Sequence, residues 1–405
     1  MAQAEDKILV FTSREICYNS HSFFAHQIAA AFEKLGQEVE FCEFTKEDDF
    51  DAVLKPHLGQ TYKLMLDFNS LLPQLIEEDG TPVLNLIHGP FYDYILDHPL
   101  FHYNCLSVKA NDFHAILLDE GQESYVKRHH PNVKSTMMMP LGATEAITKE
   151  KRAKKPDCVL FIGSYDSEEK LLGIMELAPE PLKTFMKEIL ERRLEEPEIP
   201  MEQAFEDILL QKGLELDDAK FALFMNQMYA VDAFIRNYYR RISIESLLKA
   251  RIPVKIIGEG WEKYHGNYGD SIIKEKEVEF GLSFEKIAKE HIILNNSPIF
   301  NRGAHDRIYA GMANHCVVMT DENPYLRRTL KDGENVMLYS LKNTKTIKDM
   351  AEELLTNPIL VRNIQESAYQ EFLEKHTWEC RASRLLTDLE KIRKNICVLE
   401  NNSVE

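Results

Sequence analysis

Short apolar runs separated by helical stretches recur from one end of this chain to the other, and that alternation narrows its fold more than any other feature. Residues 8–11, 38–44, 64–68, 83–87 and 115–118 each have the length and apolar content of a buried strand. The first is followed by an amphipathic helix that Gly36 stops. The pattern resumes with runs at 158–162, 254–257, 278–280, 292–294 and 316–319. Strands alternating with helices build a parallel sheet covered on both faces, so the expected class is α/β and doubly wound. Ligands of such sheets bind at the carboxyl ends of the strands. At 405 residues the chain exceeds one ordinary core and suits two domains.

The segment MMMPLGATEAITKEKRAKKPD, 137–157, runs from an apolar strand through Pro-Leu-Gly into a basic exposed stretch and reads as the domain boundary. We expect one Rossmann-like domain over 1–145 and a second over 156–377. A helical insertion at about 168–249 interrupts the second, and an amphipathic helix at 378–400 packs back across the junction. Arg236, Arg240 and Arg241 fall on a helix of the insertion and offer positive charge to a site, although a solvated basic face is the more frequent meaning of such spacing.

Composition removes several function classes. A net charge of −18 opposes general binding to nucleic acid or an anionic membrane surface. Seven cysteines without a C-x-x-C pair read as reduced thiols in a cytoplasmic protein. The start MAQAEDKILVF lacks the regions of a signal peptide, and no apolar run approaches the roughly 20 residues of an integral membrane segment. No G-x-G-x-x-G follows the first strand, so the dinucleotide fingerprint is missing. Asp49-Phe50-Asp51 matches a D-x-D metal pattern, but it lies in the charged segment KEDDFDAV and reads as an exposed helix start.

Polar residues and glycines gather at the expected strand ends. In the first half these are Arg14, Asn19 and His21, then Asp67 with Asn69, His88, and Asp119. In the second they are Gly163-Ser164, Gly258-Glu259-Gly260-Trp261, Gly281-Leu282-Ser283 and the loop NNSPIFNRGAHDR, 295–307. Within that loop Gly303 lets the backbone approach a ligand, and His305 and Arg307 stand beside a helix start, which suits a phosphate.

The ordered segments FIGS, VKIIGEGW, VEFGLSFEKIA, ILNNSPIFNRGAHDRIYAGMANHCVVMTD, NPYLRRTLKDGENVMLY and HTWECRASRLL resemble glycosyltransferases of the CgeB (spore maturation) type. The likeness spans about 157–386 apart from the helical region. It implies the GT-B architecture, in which two Rossmann-like domains face a cleft. The second domain of such an enzyme holds a nucleotide-diphosphate sugar and the first an acceptor, with no essential metal and no other cofactor. It further implies a bacterial protein or glycan acceptor such as flagellin or a spore or cell-surface component.

Under that resemblance Gly281 and Leu282 border the nucleobase, while Gly258, Gly260 and Trp261 flank the nucleotide. Gly163 and Ser164 face the diphosphate, held by Asn301, Arg302, Gly303, Ala304 and His305. Arg307 is the catalytic cation, His88 the general base with His21, Asp67 and Asp119 as the alternatives, and Arg14 and His21 acceptor-side contacts. Related retaining enzymes carry E-x7-E where this chain has Arg302 and Ala310, so ribose recognition must differ. A GT-B-like epimerase or phosphorylase, or a catalytically silent nucleotide-sugar-binding protein, stays open at this point.

Overall fold

Each half of the chain is built on one all-parallel, six-stranded sheet. The computed structural model describes residues 6–13, 19–45, 50–148, 152–264, 266, 268 and 271–402. The first sheet contains β1 (Lys7–Ser13), β2 (Glu38–Phe44), β3 (Leu64–Phe68), β4 (Phe91–Tyr94), β5 (Phe113–Leu117) and β6 (Ser135–Met138), in the order β2-β1-β3-β4-β5-β6. Its helices are α1 (Ser20–Lys34), α2 (Phe50–Leu54), α3 (Tyr103–Leu106) and α4 (Glu120–His129). Because β2 and β3 lie on opposite sides of β1, the chain leaves β1 and β3 in diverging directions and opens a crevice at their carboxyl ends.

The strand expected at 83–87 is instead a 3-10 turn, Val83–Leu86, entered through Pro82. Val83, Leu84 and Ile87 are apolar because they pack beneath the sheet against Phe91 and Phe113. The strand is the next segment, β4, and it carries a buried Asp93. The Ser70 backbone N–H and hydroxyl donate to its two oxygens at 3.0 and 2.6 Å. Burial, reinforced by the neighbouring Asp67, pushes the Asp93 carboxyl well above its ordinary value, so it sits in the strand as a neutral group.

Helices α5 (Glu168–Glu176), α6 (Leu182–Glu195), α7 (Met201–Lys212), α8 (Asp218–Met225) and α9 (Tyr229–Lys249) separate the first two strands of the second sheet. That sheet contains β7 (Val159–Ile162), β8 (Val254–Ile257), β9 (Ile272–Glu275), β10 (Ile292–Leu294), β11 (Val317–Asp321) and β12 (Met337–Tyr339), ordered β12-β11-β10-β7-β8-β9. Its switch point lies between β7 and β10. The remaining helices are α10 (Phe280–Lys289), α11 (Asp306–Ala313), α12 (Pro324–Thr329), α13 (Thr346–Thr356), α14 (Pro358–Lys375) and α15 (Trp378–Asn402). The strand expected at 278–280 proves to be the entry to α10, whose Phe280, Phe284 and Ile287 recur at helical spacing. The true edge strand, β9, has the sequence IIKE, with Ile273 about half exposed, and offers little apolar signal.

Both flanks of the second half are tied to the first. On one flank, Ala382, Leu385 and Leu389 of α15 enter the core formed by Val10, Ile28 and Leu66. Arg381 also donates to the carbonyls of Pro140 and Leu141 at 2.5 and 3.2 Å. On the other flank, Phe205 and Phe221 of the insertion share a core with Leu100 and Tyr125. Glu202 of α7 is largely but not fully covered at this second seam, with Oε2 3.6 Å from His98 Nε2. Burial pushes Glu202 up to about 7 and drives His98 down to about 3, so the imidazole is neutral across the working range. A carboxyl raised on folding stabilises fully below its unfolded value near 4.3, and that contribution is lost as pH rises through about 7. Glu202→Gln is therefore expected to differ least from the parent at pH 5. At pH 8 it should be the more stable by on the order of 1–2 kcal/mol, read from thermal unfolding at the two pH values.

Candidate active site

The two switch-point crevices face each other across the junction and enclose a cavity of about 340 Å³. His21, Asn69, Asp97 and Leu118 line it from the first half, and Ser164, Glu277, His305, Asp306 and Arg307 from the second. A wider cavity of about 800 Å³ continues from Ser164, Gly258 and Glu259 along α9, past Asn237 and Arg240.

Positive charge is supplied by two arginines from different elements. Arg307, in the first turn of α11, donates to Asn295 Oδ1 at 2.7 Å. Arg240, on α9, donates to the Ser164 carbonyl at 2.7 Å. Neither guanidinium has a carboxylate within 4 Å among the described residues. Burial, with Arg236 and Arg307 nearby, pushes Arg240 down to about 9. Burial likewise lowers Arg307, against the pull of Asp306 and Asp321. Cations destabilised in this way gain most from a bound anion. Neighbouring arginines do have acids: Arg236 pairs with Asp232 at 2.7 Å, and Arg241 with Glu168 at 2.7 Å.

The helix start contributes less than its sequence suggests, because it caps itself. His305 Nδ1 lies 3.2 Å from the Arg307 backbone N and 2.5 Å from Asp306 Oδ1. That nitrogen is committed within the loop, which leaves Nε2 for the cleft. Burial holds His305 below its ordinary value, so it serves as a neutral hydrogen-bonding group. Asp306 stays ionised: burial would raise it, but His305 and Arg307 hold it below its ordinary value.

Residues 301–304 have a different role from the one the sequence suggested. The Arg302 backbone N–H donates to Asp119 Oδ2 at 2.5 Å, and Glu120 N–H to the Arg302 carbonyl at 3.2 Å. Gly303 forms a bridge with Asp119, and a Cβ on Gly303 would lie 2.2 Å from the Leu118 carbonyl oxygen. The glycine is needed where the two halves touch. Arg302 points to solvent, Ala304 is buried, and Asn301 donates to the Pro197 carbonyl at 3.2 Å. Gly303→Ala is expected to cost about 1–3 kcal/mol by forcing this seam apart, measurable by denaturant unfolding.

Gly163, Ser164 and Gly258 do line the cleft. Gly258 and Gly260, at φ of 150° and 84°, also allow the loops after β7 and β8 to touch, since a Cβ would meet the Gly163 or Tyr165 carbonyl oxygen at 2.4 or 1.8 Å. Trp261 is buried beneath them, stacked on Tyr165 with ring centroids 4.8 Å apart and donating to the Gly163 carbonyl at 2.7 Å. It supports the Gly163-Ser164 loop and, with Gly260, forms part of the wall of the wider cavity. Gly281 sits against Phe23 across the junction and Leu282 is exposed; the α10 side chains that reach the cleft are Phe280, Ser283, Phe284 and Ile287.

On the first half, His88 is displaced from the cleft. It precedes β4 in place of ending a strand, so it lies exposed at the amino edge of the sheet, where its carbonyl accepts from Tyr62 N–H at 2.8 Å. His21 is in the cleft wall, but Nδ1 accepts from Ser13 N–H at 3.2 Å and Nε2 donates to the Phe68 carbonyl at 2.7 Å. Both nitrogens hold β1, α1 and β3 together. Asp67 accepts from Phe68 and Leu72 N–H groups, and Asp119 caps α4, so neither is free to act on a ligand. Arg14 and Asp49 lie outside the described residues.

The residue missed in the sequence is Asp97. It is exposed in the cleft just beyond β4, accepts from Asn69 Nδ2 at 2.9 Å, and is close enough to Arg236 to help keep that guanidinium charged. Among the described residues it is the one carboxylate that the first half presents to the cleft. Asn69, in left-handed backbone at φ 55°, fixes it further by accepting from the Leu96 and Asp97 N–H groups. The one group of described residues spaced to share a metal ion, Asp157, Cys158 and Glu290, lies at the opposite, amino edge of the second sheet, where Lys255 already pairs with Glu290. No described helix is long and apolar enough to cross a membrane.

Residues 236–387 match the family model described as glycosyl transferase-like. No curated protein matches the chain. Among solved structures it is similar to sucrose-phosphate synthase from Thermosynechococcus elongatus, at 10% identity and a TM-score of 0.59 over 96% of this chain and 100% of that one. It is also similar to Anabaena Alr3699/HepE in complex with UDP and glucose, at 9% identity and 0.54 over 95% and 100%. A third similar structure is the DNA modifying enzyme beta-glucosyltransferase, at 10% identity and 0.53 over 94% and 99%. The fold is GT-B.

Proposed function

We propose that the chain transfers a sugar from a nucleotide-diphosphate sugar to a glycan or protein acceptor without an essential metal ion. The observation that carries this reading is the convergence of Arg240 and Arg307, neither paired with an acid, on the crevice between two Rossmann-like sheets. The acceptor hydroxyl oxygen attacks the anomeric carbon and gives its proton to Asp97. The bond from that carbon to the diphosphate oxygen breaks, its electron pair leaves with the nucleoside diphosphate, and the two guanidinium groups meet the growing charge. Glu259 and Glu277, both exposed at the cleft, offer the ribose carboxylates that Ala310 cannot. UDP is the nucleotide to try first, since UDP-glucose is the substrate of the beta-glucosyltransferase and UDP is bound in HepE. The likeness to the CgeB type supports a bacterial cell-surface or protein acceptor, and the free cysteines among the described residues support a reaction in the cytoplasm.

The test is incubation with a panel of UDP-, GDP-, ADP- and dTDP-sugars, with and without EDTA, following released nucleotide and sugar. Transfer or slow donor hydrolysis that EDTA leaves unchanged is expected. An isomerised donor would mean an epimerase, phosphate-dependent cleavage a phosphorylase, and binding without turnover a silent binding protein.

A further inference from the structure

Beyond the donor site the cleft continues over the first half into a cavity of about 630 Å³, and His21 and Asn69 line both spaces. Its walls are the loop after β3, with Leu71, Pro73 and Gln74, the segment carrying Phe101 and Asn104, and Asn226 at the end of α8. The insertion thus supplies one wall of a groove that otherwise belongs to the first half. No Asp, Glu, Lys or Arg lines it, in a chain whose residues are 28% charged. A groove of this size without ionic partners selects a neutral ligand, because a charged one would lose hydration with nothing to replace it.

The polar groups that remain are amides. Asn104 and Asn226 have no protein hydrogen-bond partner for their side chains among the described residues, and Gln74 spends only its Nε2, on the Ser70 carbonyl at 2.7 Å. Each amide pairs a donor with an acceptor, which is also what a sugar hydroxyl offers. Phe101, Pro73, Leu71 and Val108 give apolar surface for the C–H faces of the rings. An extended peptide bound by strand addition needs an open sheet edge. The edges here are β2 and β6, whereas the groove opens at the ends of inner strands.

We infer that this groove binds an uncharged oligosaccharide chain whose end reaches Asp97, and that the acceptor is therefore a neutral glycan. The second clause rests on the transfer reading, while the first does not. The test uses the full chain without donor, titrated with maltohexaose, cellohexaose, chitohexaose, hexagalacturonate and an uncharged Ser/Gly/Asn peptide, read by saturation-transfer NMR and calorimetry. At least one neutral oligosaccharide is expected to bind. Asn226→Asp and Asn104→Asp, one on each wall, should each weaken it about tenfold and leave UDP affinity unchanged. Binding of none of the three, tighter binding of hexagalacturonate or of the peptide, or neutral binding untouched by both variants would overturn the inference. Neutral binding together with no turnover of any nucleotide sugar would uphold the groove and reject transfer.

Discussion

Arg240→Gln is expected to lower sugar transfer roughly 10²–10³-fold and to weaken UDP binding by about 1.5–3 kcal/mol. Glutamine keeps a donor for the Ser164 carbonyl that Arg240 now serves at 2.7 Å, so the loop after β7 has no reason to collapse, and the loss reports charge. Arg307→Gln should behave alike, since it removes the other unpaired guanidinium while retaining a donor near Asn295. The double variant is the sharper measurement. Two cations meeting one diphosphate share a partner, so their effects should be non-additive in a double-mutant cycle on UDP affinity. Additive losses would place the two arginines on different groups of the donor. Wild-type transfer rates in either single variant, with UDP affinity intact, would remove the charge argument altogether.

Much of the architecture was legible because buried parallel strands announce themselves as apolar runs. Residues 38–44, 64–68, 254–257 and 292–294 are read directly and coincide with β2, β3, β8 and β10. The two failures share a cause, since apolar content marks burial and burial is not confined to strands. At 83–87 the apolar side chains pack under the sheet from a 3-10 turn, while β4 hides a neutralised Asp93. At 278–280 they begin α10, while β9 is an edge strand with an exposed face.

Misplacing β4 by one segment moved the presumed catalytic edge from Asp97 to His88. Gly303 shows a second limit: the sequence marks a close backbone approach, but only the fold says that the approaching group is the Leu118 carbonyl of the other half. Arg240 shows a third. Its helical spacing with Arg236 and Arg241 was consistent with a solvated face, and only the packing of α9 against the Ser164 loop separates it from its paired neighbours.

Asp97→Asn is expected to leave UDP and donor affinity within about twofold while lowering transfer by about 10²–10⁴-fold. Asparagine keeps an oxygen to accept from Asn69 Nδ2, now 2.9 Å away, so the turn beyond β4 should hold its shape. What disappears is the one carboxylate the described first half presents to the cleft, and with it the group that takes the acceptor proton. The loss should therefore fall on kcat for transfer, with the donor KM little changed. His88→Ala is the matched control. It replaces the histidine that the sequence favoured, and from the amino edge of the sheet it should change transfer by less than about twofold. If His88→Ala were the damaging variant and Asp97→Asn the silent one, acceptor activation could not occur at the carboxyl edge of the first sheet. The cleft would then bind the donor but not carry out the attack assigned to it.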